Sequence, residues 1–231
     1  LEEIHARNIP VFCKIHTKKG KTHYGDIWRA VLLNAVLGSE SLVRRILNAF
    51  EETPGLAMTG PALLYKSARS LEYRNKSKLE EMFSFLYPEK VVPEDWGFFA
   101  GTMFWGRTRT FAPLAKLVRQ RFRFEKAELD VDGQLAHTIE RMLGAVVRQE
   151  GLKIGLVTNE LAIMHHRELE IHDADFPGSV ENIGQTLLPL REMYFHAWKH
   201  ITGDGEKSVP SLAEPDTGMG KIPFTVRLKF P

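Results

Sequence analysis

Cysteine is nearly absent from this chain of 231 residues, in which Cys13 is the only one. A single cysteine excludes an internal disulfide framework and a cysteine-rich zinc site. Because Cys13 lies in an apolar run, we expect it to be a small buried side chain. This cysteine usage predicts a reducing compartment, so we expect a cytoplasmic protein.

Long hydrophobic runs are also missing. No apolar stretch approaches the roughly 20 residues that cross a bilayer, and the first residues do not follow a signal-peptide pattern. We therefore expect no membrane-spanning segment. A peripheral position at the inner face of the plasma membrane remains an open alternative.

The chain has no excess charge of either sign, since 31 Lys and Arg oppose 29 Asp and Glu. Binding to nucleic acid depends on many cations that neutralise phosphates, so this balance argues against a general nucleic-acid binder. Hydrophobic residues make up 43% of the sequence, which is enough for one main domain with a core.

Apolar periodicity alternates between strand-like and helix-like segments, which predicts an α/β layer structure. We expect strands at residues 9–15, 56–59, 98–105 and 153–157. We expect helices at 26–37, from 40 to the Pro54-Gly55 break, at 76–86, 111–121 and 132–149, with residues 62–75 as loop. Beyond the first domain we expect a helix at 179–200, a Gly- and Pro-rich linker at 203–220 and an edge strand at 222–230.

Three runs resemble a known family. They are Lys-Ile-His-Thr-Lys-Lys at residues 14–19, Ala-Gly-Thr-Met-Phe-Trp-Gly-Arg at 100–107, and Asp-Gly-Gln-Leu-Ala-His-Thr-Ile-Glu-Arg at 132–141. In this order they are similar to the rhamnan synthesis F family of bacterial cell-surface polysaccharide and O-antigen assembly. The resemblance covers residues 11–156, and three motifs together are far more specific than any one of them.

That resemblance implies a GT-A-like glycosyltransferase fold, a mixed sheet flanked by helices. Residues 1–175 would be its acceptor half and 176–231 a C-terminal helix with a Pro- and Gly-rich tail. The N-terminal nucleotide-binding βα units are not recognisable, so the resemblance leaves three alternatives: a fragment, a degenerate relative, or one part of a larger enzyme in which a partner domain supplies those units. The implied reaction moves a sugar from a nucleotide-diphosphate donor, such as a deoxythymidine-diphosphate rhamnose, to a saccharide acceptor. The alternative is a non-catalytic module that binds carbohydrate or a partner.

The resemblance also suggests a catalytic base. Asp132 occupies the place, in chain order, where similar enzymes carry the carboxylate that takes the acceptor proton. Gly133 beside it would allow a ligand to approach the backbone closely. The alternative is that Asp132 only caps the helix that follows.

Candidate substrate-binding residues occur in all three motifs. His137, Glu140 and Arg141 share one helix face: His137 would bond a sugar hydroxyl, and Arg141 would pair with a phosphate or fix Glu140, unless the three form a solvated charge cluster. The other candidates fall into three groups. The side chains of His16, Lys18 and Lys19 would neutralise a diphosphate, or they form an exposed turn.

The second group, Gly101, Thr102 and Trp105, would lie along the sugar, although Trp105 is more typical of a core aromatic. The third group is Asp95 alone, which would line an acceptor cleft or belong to a surface turn.

A divalent cation, Mg²⁺ or Mn²⁺, is the one cofactor that the resemblance implies. His165 and His166 lie late in the domain, where similar enzymes place a histidine that assists the metal or the diphosphate. Their spacing matches no specific zinc pattern, which favours a polar loop. A metal-dependent hydrolase built on this segment is a third hypothesis.

Overall fold

A mixed five-stranded sheet forms the centre of the structure. The computed structural model describes residues 2–16, 25–120, 122, 124, 133–158 and 169–173. The strands are β1 (Val11–Lys14), β2 (Leu56–Pro61), β3 (Tyr65–Ser67), β4 (Gly97–Phe99), β5 (Phe104–Arg107), β6 (Lys153–Val157) and β7 (Leu169–Asp173). The helices are α1 (Glu2–Ala6), α2 (Gly25–Leu37), α3 (Glu40–Glu52), α4 (Lys76–Leu86), α5 (Thr108–Phe111), α6 (Leu114–Gln120) and α7 (Leu135–Gln149).

Strand direction brings three carboxyl ends to one side of the sheet. The order is β1-β5-β2-β6-β7; β5 is antiparallel to β1 and to β2, and β6 is parallel to β2. Strands β1, β2 and β6 therefore run in the same direction, and their carboxyl ends define what we call the carboxyl edge. Strands β3 and β4 pair separately. The expected mixed α/β sheet with flanking helices is confirmed.

Local signals explain helix α3. The hydroxyl of Ser39 accepts a hydrogen bond from the backbone N–H of Leu42 at 3.2 Å, as expected for an N-cap. Leu42, Ile46 and Phe50 recur at helical spacing and are buried. The helix ends before Pro54, in agreement with the predicted break.

Adjacent side chains of β5 enter two different hydrophobic clusters because side chains alternate across a strand. Phe104 joins the larger cluster, to which α4 and α7 also contribute. Trp105 joins the smaller cluster with residues of α2 and α3. Cys13 packs against the smaller cluster and is partly buried.

The predicted single strand at residues 98–105 is wrong. The chain forms β4, then a turn at residues 100–103, then β5, and the two strands belong to different sheets. The cause is a pair of positive φ angles, 96° at Gly101 and 55° at Thr102. A left-handed pair reverses the course that an extended strand would follow.

Three other boundaries differ from prediction. The expected helix at 111–121 is divided into α5 and α6 around Pro113, which has no N–H to continue the hydrogen-bond ladder. The predicted loop at 62–75 contains strand β3. Helix α7 begins at Leu135 with Gln134 as its N-cap residue, later than the predicted start at residue 132.

The whole of the tail at 176–231 lies outside the described residues, with its predicted helix at 179–200, linker at 203–220 and strand at 222–230. In the part of the chain that the structure describes, no helix is long and apolar enough to cross a membrane.

Candidate functional site

Residues from all three motifs meet at the carboxyl edge. Strand β1 ends at Lys14, the 100–103 turn leads into β5, and the first half of α7 carries Glu140. Side chains from β1, from the segment that follows it and from α7 all contact the backbone of the 100–103 turn. Ligands of open α/β sheets bind outside the carboxyl ends of strands, so this is the candidate site.

Three successive carbonyl groups of the turn each accept a hydrogen bond from a distant side chain. Trp28 Nε1 donates to Ala100 O at 3.3 Å, and Lys14 Nζ donates to Thr102 O at 2.9 Å. His16 Nε2 lies 2.7 Å from Gly101 O. Because a carbonyl only accepts, His16 Nε2 carries the hydrogen.

Glu140 binds the other side of the same turn. Its Oε1 accepts a hydrogen bond from the backbone N–H of Gly101 and another from Thr102 Oγ1, each at 2.7 Å. The Glu140 side chain is 14% exposed. These charge-assisted bonds fix both the turn and the carboxylate.

The turn depends on glycine at position 101. A Cβ there would lie 2.7 Å from Leu32 Cδ1 and 2.9 Å from Trp28 Nε1, and the φ of 96° disfavours any other residue. Thr102 adopts φ 55° despite its branched side chain. Backbone in this region is strained, and here the contacts from Lys14 and Glu140 hold it in place.

Lys14 is a site residue that the sequence analysis did not select. Burial lowers the pKa of its ammonium group, and the nearby carboxylate of Glu140 partly opposes this by raising it. The sequence did contain one signal for Lys14. It lies two positions after the apolar Phe12 in a strand, and residues two apart in a strand lie on the same face of the sheet. A lysine on an inward face needs a partner.

Arg141 is committed to the protein backbone. It is 5% exposed, and it donates from Nε to Leu71 O at 2.7 Å and from Nη1 to His137 O at 2.8 Å. Its Nη1 also lies 3.8 Å from Glu140 Oε2. This geometry corresponds to the alternative in which Arg141 fixes Glu140.

His137 helps to begin helix α7. Its Nδ1 accepts a hydrogen bond from the backbone N–H of Gln134 at 3.4 Å, which is one half of a capping box. It lies on α7 about one helical turn before Glu140.

Two candidate residues lie away from the turn. Trp105 is 7% exposed and donates from Nε1 to Val36 O at 2.8 Å, so it has the core environment that its aromatic character favoured. Asp95 is exposed in a bend before β4, at the end of that strand opposite the turn. Its position corresponds to the surface-turn alternative.

Five predicted site residues lie outside the described residues: Asp132, Lys18, Lys19, His165 and His166. Within the described ranges, no group of three or more His, Cys, Asp or Glu side chains is arranged to hold a metal ion.

Comparison with known proteins identifies relatives of the chain. The family model described as rhamnan synthesis protein F matches residues 5–152. Two relatives from Xanthomonas campestris pv. campestris, strains B100 and ATCC 33913, both named uncharacterized protein WxcX, are 31% identical over 159 residues. The match covers 68% of this chain and 22% of each relative, so the chain spans about a fifth of their length. No solved structure matches.

Proposed function

Because this chain belongs to the rhamnan synthesis protein F family, we propose that it is part of a glycosyltransferase of bacterial cell-surface polysaccharide synthesis. The reaction would transfer a sugar from a nucleotide-diphosphate donor to a saccharide acceptor. The family description makes a rhamnose donor the natural first choice.

One observation carries the proposal: the first and third family-like motifs both contact the second motif at the carboxyl edge. His16 from the first motif and Glu140 from the third both bind Gly101 from the second. Residues 85 and 39 positions apart in sequence thus converge on one backbone unit. A convergence of polar side chains on a strained turn is typical of sites that bind or react with a ligand.

The chemistry divides between a base and cations. The oxygen of an acceptor hydroxyl forms a bond to the anomeric carbon, and the bond from that carbon to the diphosphate oxygen breaks with its electron pair. In the proposal, the Asp132 carboxylate takes the hydroxyl proton. His16, Lys18 and Lys19 stabilise the negative charge that grows on the departing diphosphate.

No step of this proposal runs through a metal ion. Among the described residues, Glu140 is the carboxylate at the turn, and its Oε1 already accepts two hydrogen bonds. These residues alone do not offer the oxygen-rich set of ligands that Mg²⁺ or Mn²⁺ requires. A role for His165 and His166 in metal binding stays a prediction.

A titration calorimetry experiment tests the proposal. We expect nucleoside diphosphates, including deoxythymidine diphosphate, to bind this chain saturably, with Mn²⁺ present or absent as a second variable. Where transfer to a rhamnose acceptor is measured, Asp132→Asn should abolish it, while the matched control Asp95→Asn retains it. Full transfer by Asp132→Asn would contradict the base assignment.

The length of the relatives favours a second candidate function, since the match with this chain covers only 22% of each curated relative. In this alternative the chain is a non-catalytic carbohydrate- or partner-binding module, and another part of a longer protein binds the nucleotide. The same titration separates the two: saccharide binding without nucleoside diphosphate binding supports the module.

A further inference from the structure

Lys14 and Glu140 hold opposite charges on the two sides of Thr102. Lys14 Nζ donates to the carbonyl oxygen of Thr102 at 2.9 Å, whereas Glu140 Oε1 accepts from its hydroxyl at 2.7 Å. The ammonium and the carboxylate interact electrostatically, but no direct ion pair joins them. Both are bound to the same residue without being bound to each other.

Hydrogen-bonding capacity remains on both groups. Glu140 Oε2 is 3.8 Å from Arg141 Nη1, beyond hydrogen-bond range, and accepts no hydrogen bond from the described residues. An ammonium group has three donors, and Lys14 uses one of them on a described residue, at Thr102. An acceptor and two donors are therefore available around one turn.

We propose that Lys14 and Glu140 form a subsite for an uncharged hydroxyl group of a saccharide. A hydroxyl has one donor and two acceptor lone pairs, so it would donate to Glu140 Oε2 and accept from Lys14 Nζ. The inference rests on the proposed function in one respect, since that function makes a saccharide the source of the hydroxyl.

Charge decides against the other ligand classes. A phosphate would approach the Glu140 carboxylate, and a cation would approach Lys14 and Arg141. With Arg141 beside Glu140 the cluster carries one net positive charge, so charge alone disfavours a cation, and an anion bound to Lys14 would have to lie against the Glu140 carboxylate. A neutral hydroxyl meets neither penalty.

An NMR titration of the chain with methyl α-L-rhamnoside tests the subsite. Because the Gly101 N–H donates to Glu140, we expect the backbone amide signals of Gly101 and Thr102 to shift saturably. Inorganic pyrophosphate is the comparison probe. Its binding at His16 would reach the Gly101 carbonyl, but we expect it not to displace the rhamnoside. This part of the test needs no variant.

Glu140→Gln is the informative substitution because glutamine keeps an acceptor for Gly101 and Thr102 but places an NH₂ group where Oε2 was. We expect affinity for the rhamnoside to fall about tenfold or more, as for loss of a hydrogen bond to a charged group. Glu150→Gln is the matched control, since Glu150 follows the far end of α7 and accepts from Tyr87; it should bind like the wild type.

The outcomes separate the inference from the proposed function. If the rhamnoside binds without shifting Gly101 and Thr102, or binds Glu140→Gln with unchanged affinity, the subsite is wrong and the proposed function stands. Displacement of the bound rhamnoside by pyrophosphate would also overturn the subsite. Absence of both saccharide and nucleoside diphosphate binding to the wild type would remove the proposed function together with the subsite. If Glu140→Gln does not fold, the wild-type shifts alone decide.

Discussion

Glu140 and Thr102 are joined by a hydrogen bond of 2.7 Å from the threonine hydroxyl to the carboxylate, across 38 positions of sequence. The same carboxylate oxygen accepts the backbone N–H of Gly101. Helix α7 therefore holds the left-handed turn from one side while Lys14 and His16 hold it from the other. With Trp28 of α2, which donates to Ala100 O, contacts from three separate parts of the chain position the turn.

We predict that Gly101→Ala is strongly destabilising. The added Cβ would lie 2.7 Å from Leu32 Cδ1, and φ at this residue is 96°, so crowding and backbone strain act together. We expect the free energy of unfolding to fall by about 2–4 kcal/mol, as for overpacking combined with an unfavourable φ. Urea denaturation measures this change.

Gly151→Ala is the matched control for Gly101→Ala. Gly151 also has a positive φ, 61°, but a Cβ there meets nothing within 4 Å. Gly151→Ala should lower the free energy of unfolding by only about 1 kcal/mol, because backbone strain acts there without crowding. Equal effects at positions 101 and 151 would show that close packing at the 100–103 turn is unimportant.

We predict that Gly144→Ala prevents α7 from packing on β4. A Cβ at Gly144 would overlap the carbonyl oxygen of Gly97. Because that atom is backbone, the helix or the strand must move, and a loss of more than about 3 kcal/mol is expected. Thermal denaturation followed by circular dichroism measures it.

Gly55→Ala is the control for Gly144→Ala, because the atom nearest to a Cβ added at Gly55 is Lys153 Cγ, 4.0 Å away. Its unfolding transition should stay close to that of the wild type. A Gly144→Ala protein with the wild-type melting temperature would contradict the close approach of α7 to β4.

We predict that Cys13 is unreactive in the folded protein. Burial raises the pKa of its thiol from 9.0 to about 12, and the thiolate is the species that alkylating agents attack. At pH 9 the folded protein should react at least about a hundredfold more slowly than the chain unfolded in urea. Mass spectrometry after iodoacetamide treatment measures both rates.

The sign of the linked stability change follows from the same pKa. A thiol whose pKa is raised on folding stabilises the native state below its unfolded pKa, and this contribution is lost as pH rises from about 9 to about 12. Equal alkylation rates for folded and unfolded protein at pH 9 would show that Cys13 is accessible.

Sequence patterns predicted the elements whose signals are local. The cap at Ser39 and the apolar spacing of Leu42, Ile46 and Phe50 define helix α3 within one segment, so periodicity alone identified it. Helix α4 was predicted with the bounds Lys76–Leu86 that the structure has. Motif resemblance identified the candidate site residues Gly101 and Glu140 but not how they relate.

The sequence by itself determined the mixed α/β class, the family and the segments that contain the candidate site. Only the tertiary structure decided that residues 98–105 divide into two strands, that Arg141 binds backbone carbonyls and that Lys14 belongs to the site. These features depend on hydrogen bonds between residues 38 to 88 positions apart. Local spacing carries no information about such partners, because they are chosen by packing between elements and by the need to satisfy buried polar groups.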